Sequence, residues 1–197
     1  MMIAVCQVLN TYCSRHIYTE HATHHIESQS ENKKHEELKI EKSVSTGNSN
    51  TENSKLNDFM NGGTEKKLNT SNTSADEIIL SAQKYLGVPH CMGGTTMKCI
   101  DCSGLLVTVF AKYGIRLPHN SEEQARFGKI IRKTDELRKG DLVFFTRSYN
   151  TQYFITHSGI YMGNNNFIHT SSKNGVTITS LNDEWWREKF VFGTRIL

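Results

Sequence analysis

Cys102 stands where an irregular, glycine-containing segment gives way to a strongly apolar run, within Ile100-Asp101-Cys102-Ser103-Gly104. If Asp101 is an N-cap, its carboxylate accepts from a free amide of the first turn, and Cys102 opens a helix reaching about Tyr113. Unpaired amides and the positive end of the helix dipole favour an anion there, so the thiol pKa is expected to fall below that of a free cysteine. On helical spacing Cys102 shares a face with Leu106, Val109 and Tyr113, which directs the sulfur toward the surface the helix packs on, at the edge of a cleft. The competing reading is a cysteine that is simply a small buried hydrophobe.

A cysteine nucleophile needs a base within hydrogen-bond reach and a group that orients the base. Only His157 and His169 lie on stretches that read as strands able to face the cysteine helix. With a three-residue loop of Gly163, Asn164 and Asn165, Met162 pairs with Asn166, Gly159 faces His169, and both imidazoles project from one side of the sheet. Gly159 then leaves room between them. A loop of two or four residues would turn His169 to the opposite face. In the favourable register His157 is the general base and His169 holds its other ring nitrogen.

Two other chemistries use the same residues. Cys99-Ile-Asp-Cys102 has the spacing of a redox dithiol, although a thioredoxin-like site should follow a strand of a β-α-β unit and this one follows a loop. His90, Cys91, Cys99 and Cys102 supply four ligands suited to zinc, with the adjacent pair at 90 and 91 pointing awkwardly apart. The five cysteines, at 6, 13, 91, 99 and 102, are odd in number with three in one short window, so they read as chemistry and not as a disulfide framework.

The elements that must position these groups come in two runs. Ile78, Ile79, Ala82 and Leu86 recur at helical spacing over 75–86, with Ser74 or Asp76 as cap and Gly87 as stop. The loop from Pro89 through Gly93 and Gly94 leads to the Cys102 helix and forms one wall of the site. After Leu117-Pro118, Asn120 or Ser121 caps a short connecting helix reaching about Phe127. Strands then follow at 142–146, 156–162, 166–170, 176–180 and 190–197, with Trp185 and Trp186 on a short helix or turn before the last. Helices first and strands after argue an α+β fold with N-terminal helices packed on an antiparallel sheet.

The first third reads differently. Residues 21–74 are dominated by Ser, Thr, Asn, Glu, Lys and His, a composition that buries too little apolar surface to offset chain entropy. Residues 1–74 are therefore expected to be a disordered tether, with the folded domain at 75–197. The mildly apolar stretch 1–12 resembles the remnant of an export signal ending at Cys13, which would receive a lipid anchor. Histidines 16, 21, 24, 25 and 35 read as solvated side chains. The chain carries 23 Lys and Arg against 20 Asp and Glu, a balance that implies no nucleic-acid partner. No run approaches the ~20 apolar residues of a membrane span.

These residues also carry a family resemblance. Gly87-Val88-Pro89, Gly93-Gly94, Ile100 to Leu105, Leu137 to Phe145, His157 to Gly163 and Phe167-Ile168-His169 stand in the order and spacing of the NlpC/p60 bacterial cell-wall cysteine peptidases, a compact papain-like fold. The resemblance implies Cys102 as nucleophile, His157 as base and His169 as its orienting partner, with His90, Asp101 and Ser103 on the oxyanion and substrate side. It implies a monomeric endopeptidase of the cell envelope that cuts peptidoglycan stem or cross-link peptides and needs no cofactor or metal. Where the family usually has a tyrosine twelve residues before the nucleophile, this chain has His90, whose imidazole could donate a similar hydrogen bond. That departure motivates an alternative: a wall-binding or regulatory domain that keeps the fold without turnover. Related folds also run amidase and acyltransferase reactions.

Overall fold

A computed structural model describes residues 49–70 and 73–197, so the export and lipidation readings at 1–13 and the histidines at 16–35 lie outside the described residues. Helix α1 (Ser49–Asn61) opens the described chain. Helices α2 (Ala75–Gln83), α3 (Cys102–Ala111) and α4 (Ser121–Gln124) follow. Six strands come next: β1 (Lys129–Ile131), β2 (Leu142–Phe145), β3 (His157–Gly163), β4 (Asn166–Ser171), β5 (Gly175–Ser180) and β6 (Phe190–Arg195), with α5 (Glu184–Arg187) before the last. They form one sheet in the order β1-β6-β2-β3-β4-β5, and every pairing is antiparallel. The α+β architecture is that expected. The sheet begins earlier than expected, because Lys129–Ile131 pairs with β6 at one edge. Three residues carry too little periodicity to announce a strand.

Local chemistry sets the helix starts. Ser74 and Glu77 close a reciprocal capping box at the head of α2, which selects Ser74 over Asp76 as the cap. Asp101 caps α3 by accepting from the amide of Gly104. The apolar faces of α2 and α3, among them Ile78, Ala82, Leu105, Leu106, Val109 and Phe110, meet one face of the sheet at Leu142, Phe144, Ile160, Ile168 and Val176. The other face carries Val143, Phe145, Tyr161, Phe167 and Leu181, covered by Trp186 and Phe190. Both faces being covered explains why all four residues of β2 are buried and none alternates to solvent.

The folded unit extends upstream of the boundary expected at 75. Phe59 of α1 is 1% exposed, with its ring centroid 6.0 Å from that of Phe154 and 5.9 Å from that of Phe192. The Arg126 guanidinium lies over this ring and donates to the carbonyls of Phe59 and Gly63, and the amide of Lys66 donates to the carbonyl of Arg126. Composition averaged over a polar stretch conceals one aromatic anchor. Phe59→Ala is expected to cost about 3–5 kcal/mol, the usual range for emptying a buried phenylalanine site. Denaturant unfolding of the full chain checks this, and an unchanged midpoint would show that α1 contributes nothing to the core.

The β3–β4 hairpin decides where the histidines point. Its turn has two central residues, Asn164 and Asn165, at φ 51 and 57, the left-handed pair that suits a tight hairpin. Gly163 pairs with Asn166, whereas Met162 was expected to. A β-bulge between Tyr161 and Gly163 then absorbs one residue, so Tyr161 faces Phe167 and Ile160 faces Ile168. Beyond the bulge the register is the one expected from a three-residue loop, and Gly159 lies beside His169. A Cβ on Gly159 would stand 2.8 Å from the Phe167 ring, 2.9 Å from the Ile168 carbonyl and 3.2 Å from the His169 Cβ.

Candidate active site

The head of α3 is tied down by one carboxylate. Asp101 is 6% exposed and accepts from the Gly104 amide at 2.6 Å, the Gly93 amide at 2.7 Å and the Ser103 hydroxyl at 3.0 Å. His119 Nε2 lies 3.1 Å from Oδ1 and 3.2 Å from Oδ2 of the same group. The Asp101 amide donates to the Gly94 carbonyl, and the Thr170 hydroxyl donates to the Asp101 carbonyl. Asp101 therefore fastens the Gly93-Gly94 loop and β4 to the helix that carries the thiol. Both Asp101 and the Ser103 hydroxyl are committed to this clamp, so their side chains shape the site from behind. His119 had no signal in the sequence, since its partner is 18 residues away and set by tertiary packing.

Behind the sulfur lies a chain of polar groups built on the short connecting helix α4 and on β3. Cys102 Sγ lies 3.5 Å from the Ser121 hydroxyl, which lies 3.0 Å from the Ser158 hydroxyl. Ser158 donates to Gln124 Oε1 at 3.2 Å, and Gln124 Nε2 donates to the carbonyls of Ser103 at 2.9 Å and Pro118 at 2.8 Å. Helix α4 is thus a structural wall of the site, and its short length kept it from being read as one.

The thiol does not behave as expected for a helix head. The residue keeps some accessible surface, yet protein atoms crowd the sulfur and this desolvation pushes its pKa up; the Ser121 hydrogen bond opposes the rise, and the Asp101 charge adds to it. The backbone amides of Ser158 and Ser103 favour the thiolate without overturning the balance. Loss of hydration outweighs the partial charge of one helix end. Burial therefore raises the thiol pKa, where the helix head was expected to lower it.

His157 and His169 lie side by side. His157 Nε2 stands 2.9 Å from His169 Nδ1, and His169 Nε2 stands 3.0 Å from the Thr179 hydroxyl. Both rings lie with Phe145, Phe167 and Trp186, on the sheet face opposite the one α3 covers. The expectation that they face the cysteine helix is corrected accordingly: α3 brings its first residue to the end of β3, where the Ser158 amide, next in chain to His157, supports the sulfur. Among the described residues no hydrogen bond joins Sγ to the His157 ring, and His157 Nδ1 has no hydrogen-bond partner. Trp186 covers both imidazoles, with ring centroids 4.9 Å and 4.6 Å away. Burial lowers the His157 pKa well below its ordinary value, assisted by the charges of His169 and His90, and lowers that of His169 to about 3. Half-buried His90 is thereby placed within electrostatic reach of His157. Gly159→Ala should displace His169 and reduce turnover more than tenfold while costing about 1–3 kcal/mol. Steady-state rates beside unfolding curves check this, and full turnover by the variant would contradict the packing.

Cys91 and Cys99 form a disulfide, with Cα atoms 5.5 Å apart, and Cys102 is the free cysteine of the described residues. This corrects the view that these cysteines form no bridge. It removes two ligands from a zinc site built on His90, Cys91, Cys99 and Cys102, and removes Cys99 from a dithiol with Cys102. Bonded to each other, Cys91 and Cys99 brace the loop that Asp101 clamps.

The domain has a compact papain-like α+β fold, with a thiol at a helix head beside an antiparallel sheet that carries paired histidines. The chain belongs to the NlpC/P60 family, whose model matches residues 87–195. It is 40% identical over 136 residues to a protein named probable endopeptidase NlpC homolog from Haemophilus influenzae, covering 66% of this chain and 70% of that one. It is 39% identical over 114 residues to the murein DD-endopeptidase MepS/murein LD-carboxypeptidase of Escherichia coli, covering 57% of this chain and 58% of that one. A crystal structure of an NlpC/P60 family protein from Bacillus cereus superposes with a TM-score of 0.59 at 31% identity, covering 66% of this chain and 42% of that one.

Proposed function

We propose that this protein is a cysteine endopeptidase that hydrolyses amide bonds in the stem or cross-link peptides of peptidoglycan and works at the cell envelope. The observation that carries this reading is the free Cys102 thiol, supported by the amide next to His157 at the end of a strand whose histidine is bonded to a second one. The name of the similar E. coli protein, a murein DD-endopeptidase, supplies the substrate class, and that of the H. influenzae protein the endopeptidase reading.

With both partners neutral at rest, general-base attack fits better than a preformed ion pair. His157 donates its Nε2 proton to His169 Nδ1, and His169 donates from Nε2 to Thr179, which leaves His157 Nδ1 as the lone pair for the thiol proton. As Sγ bonds to the carbonyl carbon, that proton moves to Nδ1, and the bond to His169 holds the imidazolium. Free amides at the head of α3, with His90 alongside, stabilise the oxyanion. The carbon–nitrogen bond then breaks as His157 protonates the departing amine. Water, deprotonated by His157, attacks the thioester and returns the acid and the Cys102 thiol. Proton transfer requires the sulfur to leave Ser121 for His157, a tightening expected when substrate fills the cleft. Mass spectrometry of digests of purified sacculi tests the proposal: new muropeptide termini are expected, and intact sacculi would overturn it.

The raised thiol pKa and the Ser121 contact favour one second reading, a wall-binding domain without turnover. Trapping a covalent adduct on Cys102 with a substrate analogue distinguishes the two, since a binding domain forms none.

A further inference from the structure

A cavity of about 300 Å³ opens between α1 and the segment joining β2 to β3. Glu52 and Lys55 of α1 line one side, and Arg147, Tyr149 and Tyr153 line the other. Its frame is held independently of any ligand. Lys55 Nζ donates to the Thr151 carbonyl at 2.7 Å, and Glu122, 8% exposed, accepts from the amides of Phe154 at 2.6 Å and Ile155 at 3.1 Å. The Thr146 hydroxyl donates to the Phe154 carbonyl at 2.7 Å. These bonds engage Lys55 and Thr146 within the frame.

Arg147 is different. Its backbone lies at φ 53, a left-handed conformation unusual for a long side chain. Its guanidinium makes one long hydrogen bond, to the Glu188 carbonyl at 3.4 Å, and no carboxylate of the described residues lies within ion-pair distance of it. Lys55, in contrast, is paired with Glu52 at 3.5 Å. The cavity therefore holds one uncompensated positive charge with most of a planar donor fork unspent, flanked by two phenols. A carboxylate, flat and bidentate, matches that fork. Thr156, which also lines the cavity, is next in chain to His157 and so ties the cavity to the candidate site; burial, with Cys102 and Asp101 in electrostatic reach, raises the pKa of Tyr149.

We infer that this cavity is a substrate subsite in which Arg147 receives a free carboxylate of the peptide whose scissile bond lies at Cys102. The inference rests on the proposed peptidase reading and adds a specificity determinant to it, for peptides bearing a free carboxylate near the cleaved bond over amidated ones.

The test uses the full chain carrying Cys102→Ala, so that binding is read without turnover, and two forms of one muropeptide, with side carboxylates free or amidated. Calorimetry is expected to give affinity about 10- to 100-fold higher for the free form, the range of a charge-assisted pair. Adding Arg147→Ala should erase the preference, and Arg147→Lys, which keeps the charge without the fork, should retain part of it. Equal affinity for the two forms, or a preference that survives Arg147→Ala at unchanged thermal stability, would overturn the subsite. Failure of the unaltered chain to cut either form would count against the peptidase assignment and leave the carboxylate preference to be judged on binding.

Discussion

Cys102→Ala should lower release of muropeptide fragments by about 10⁴-fold or more, since in the proposed mechanism it removes the covalent nucleophile and leaves only binding and oxyanion contacts to assist the reaction. The fold should survive. Among the described residues the sulfur's side-chain hydrogen bond is the 3.5 Å approach to Ser121, whereas the head of α3 is held by Asp101 and its body by Leu105, Leu106, Val109 and Phe110. Cys102→Ser is the sharper control, because it keeps a partner for Ser121 yet offers an alcohol in place of a thiol. Both variants should melt close to the parent, and muropeptide release at the parent rate by either would remove Cys102 from the mechanism.

The second large effect concerns acid. His157 and His169 are 8% and 1% exposed, and burial holds both neutral, His169 with a pKa of about 3. In the unfolded chain each returns to about 6.5. Below pH 6.5 the unfolded state therefore binds protons that the folded state refuses, so stability is complete above that pH and falls as the solution is acidified. For His169 the slope approaches about 1.4 kcal/mol per pH unit below pH 6.5 and continues toward pH 3, and His157 contributes with the same sign. Between pH 6.5 and 5 His169 alone should cost about 2 kcal/mol, and His157 adds to the loss in the same direction. Denaturant midpoints at pH 7, 6 and 5 measure this, and His169→Asn should remove the part of the slope that this ring contributes. A parent protein as stable at pH 5 as at pH 7 would show that the rings are hydrated or charged when folded. In the proposed mechanism the same burial keeps His157 available as a base well into the acid range, so activity should fail on acidification when the fold does.

What was legible in the chain was what local chemistry controls. Ser74 with Glu77, and Asp101 before Cys102, announce helix starts because caps act over three residues. Strand alternation placed His157 and His169 on one side of the sheet, although the route differed: a two-residue turn and a bulge together have the parity of the three-residue loop expected. Phe59, His119, Ser121 and Gln124 were illegible for one reason. Each acts through partners far along the chain, as Arg126 does for Phe59 across 67 residues and Ser103 for Gln124 across 21.

By itself the sequence determined the α+β order, the head of the cysteine helix, the pair of histidines and the family resemblance, all properties of spacing and type. Tertiary structure alone decided that Cys91 joins Cys99, that the thiol pKa rises, and that Trp186 seals the histidines against water. Disulfide partners and proton affinities depend on which atoms surround a group in space. Those surroundings exist only once distant segments have packed.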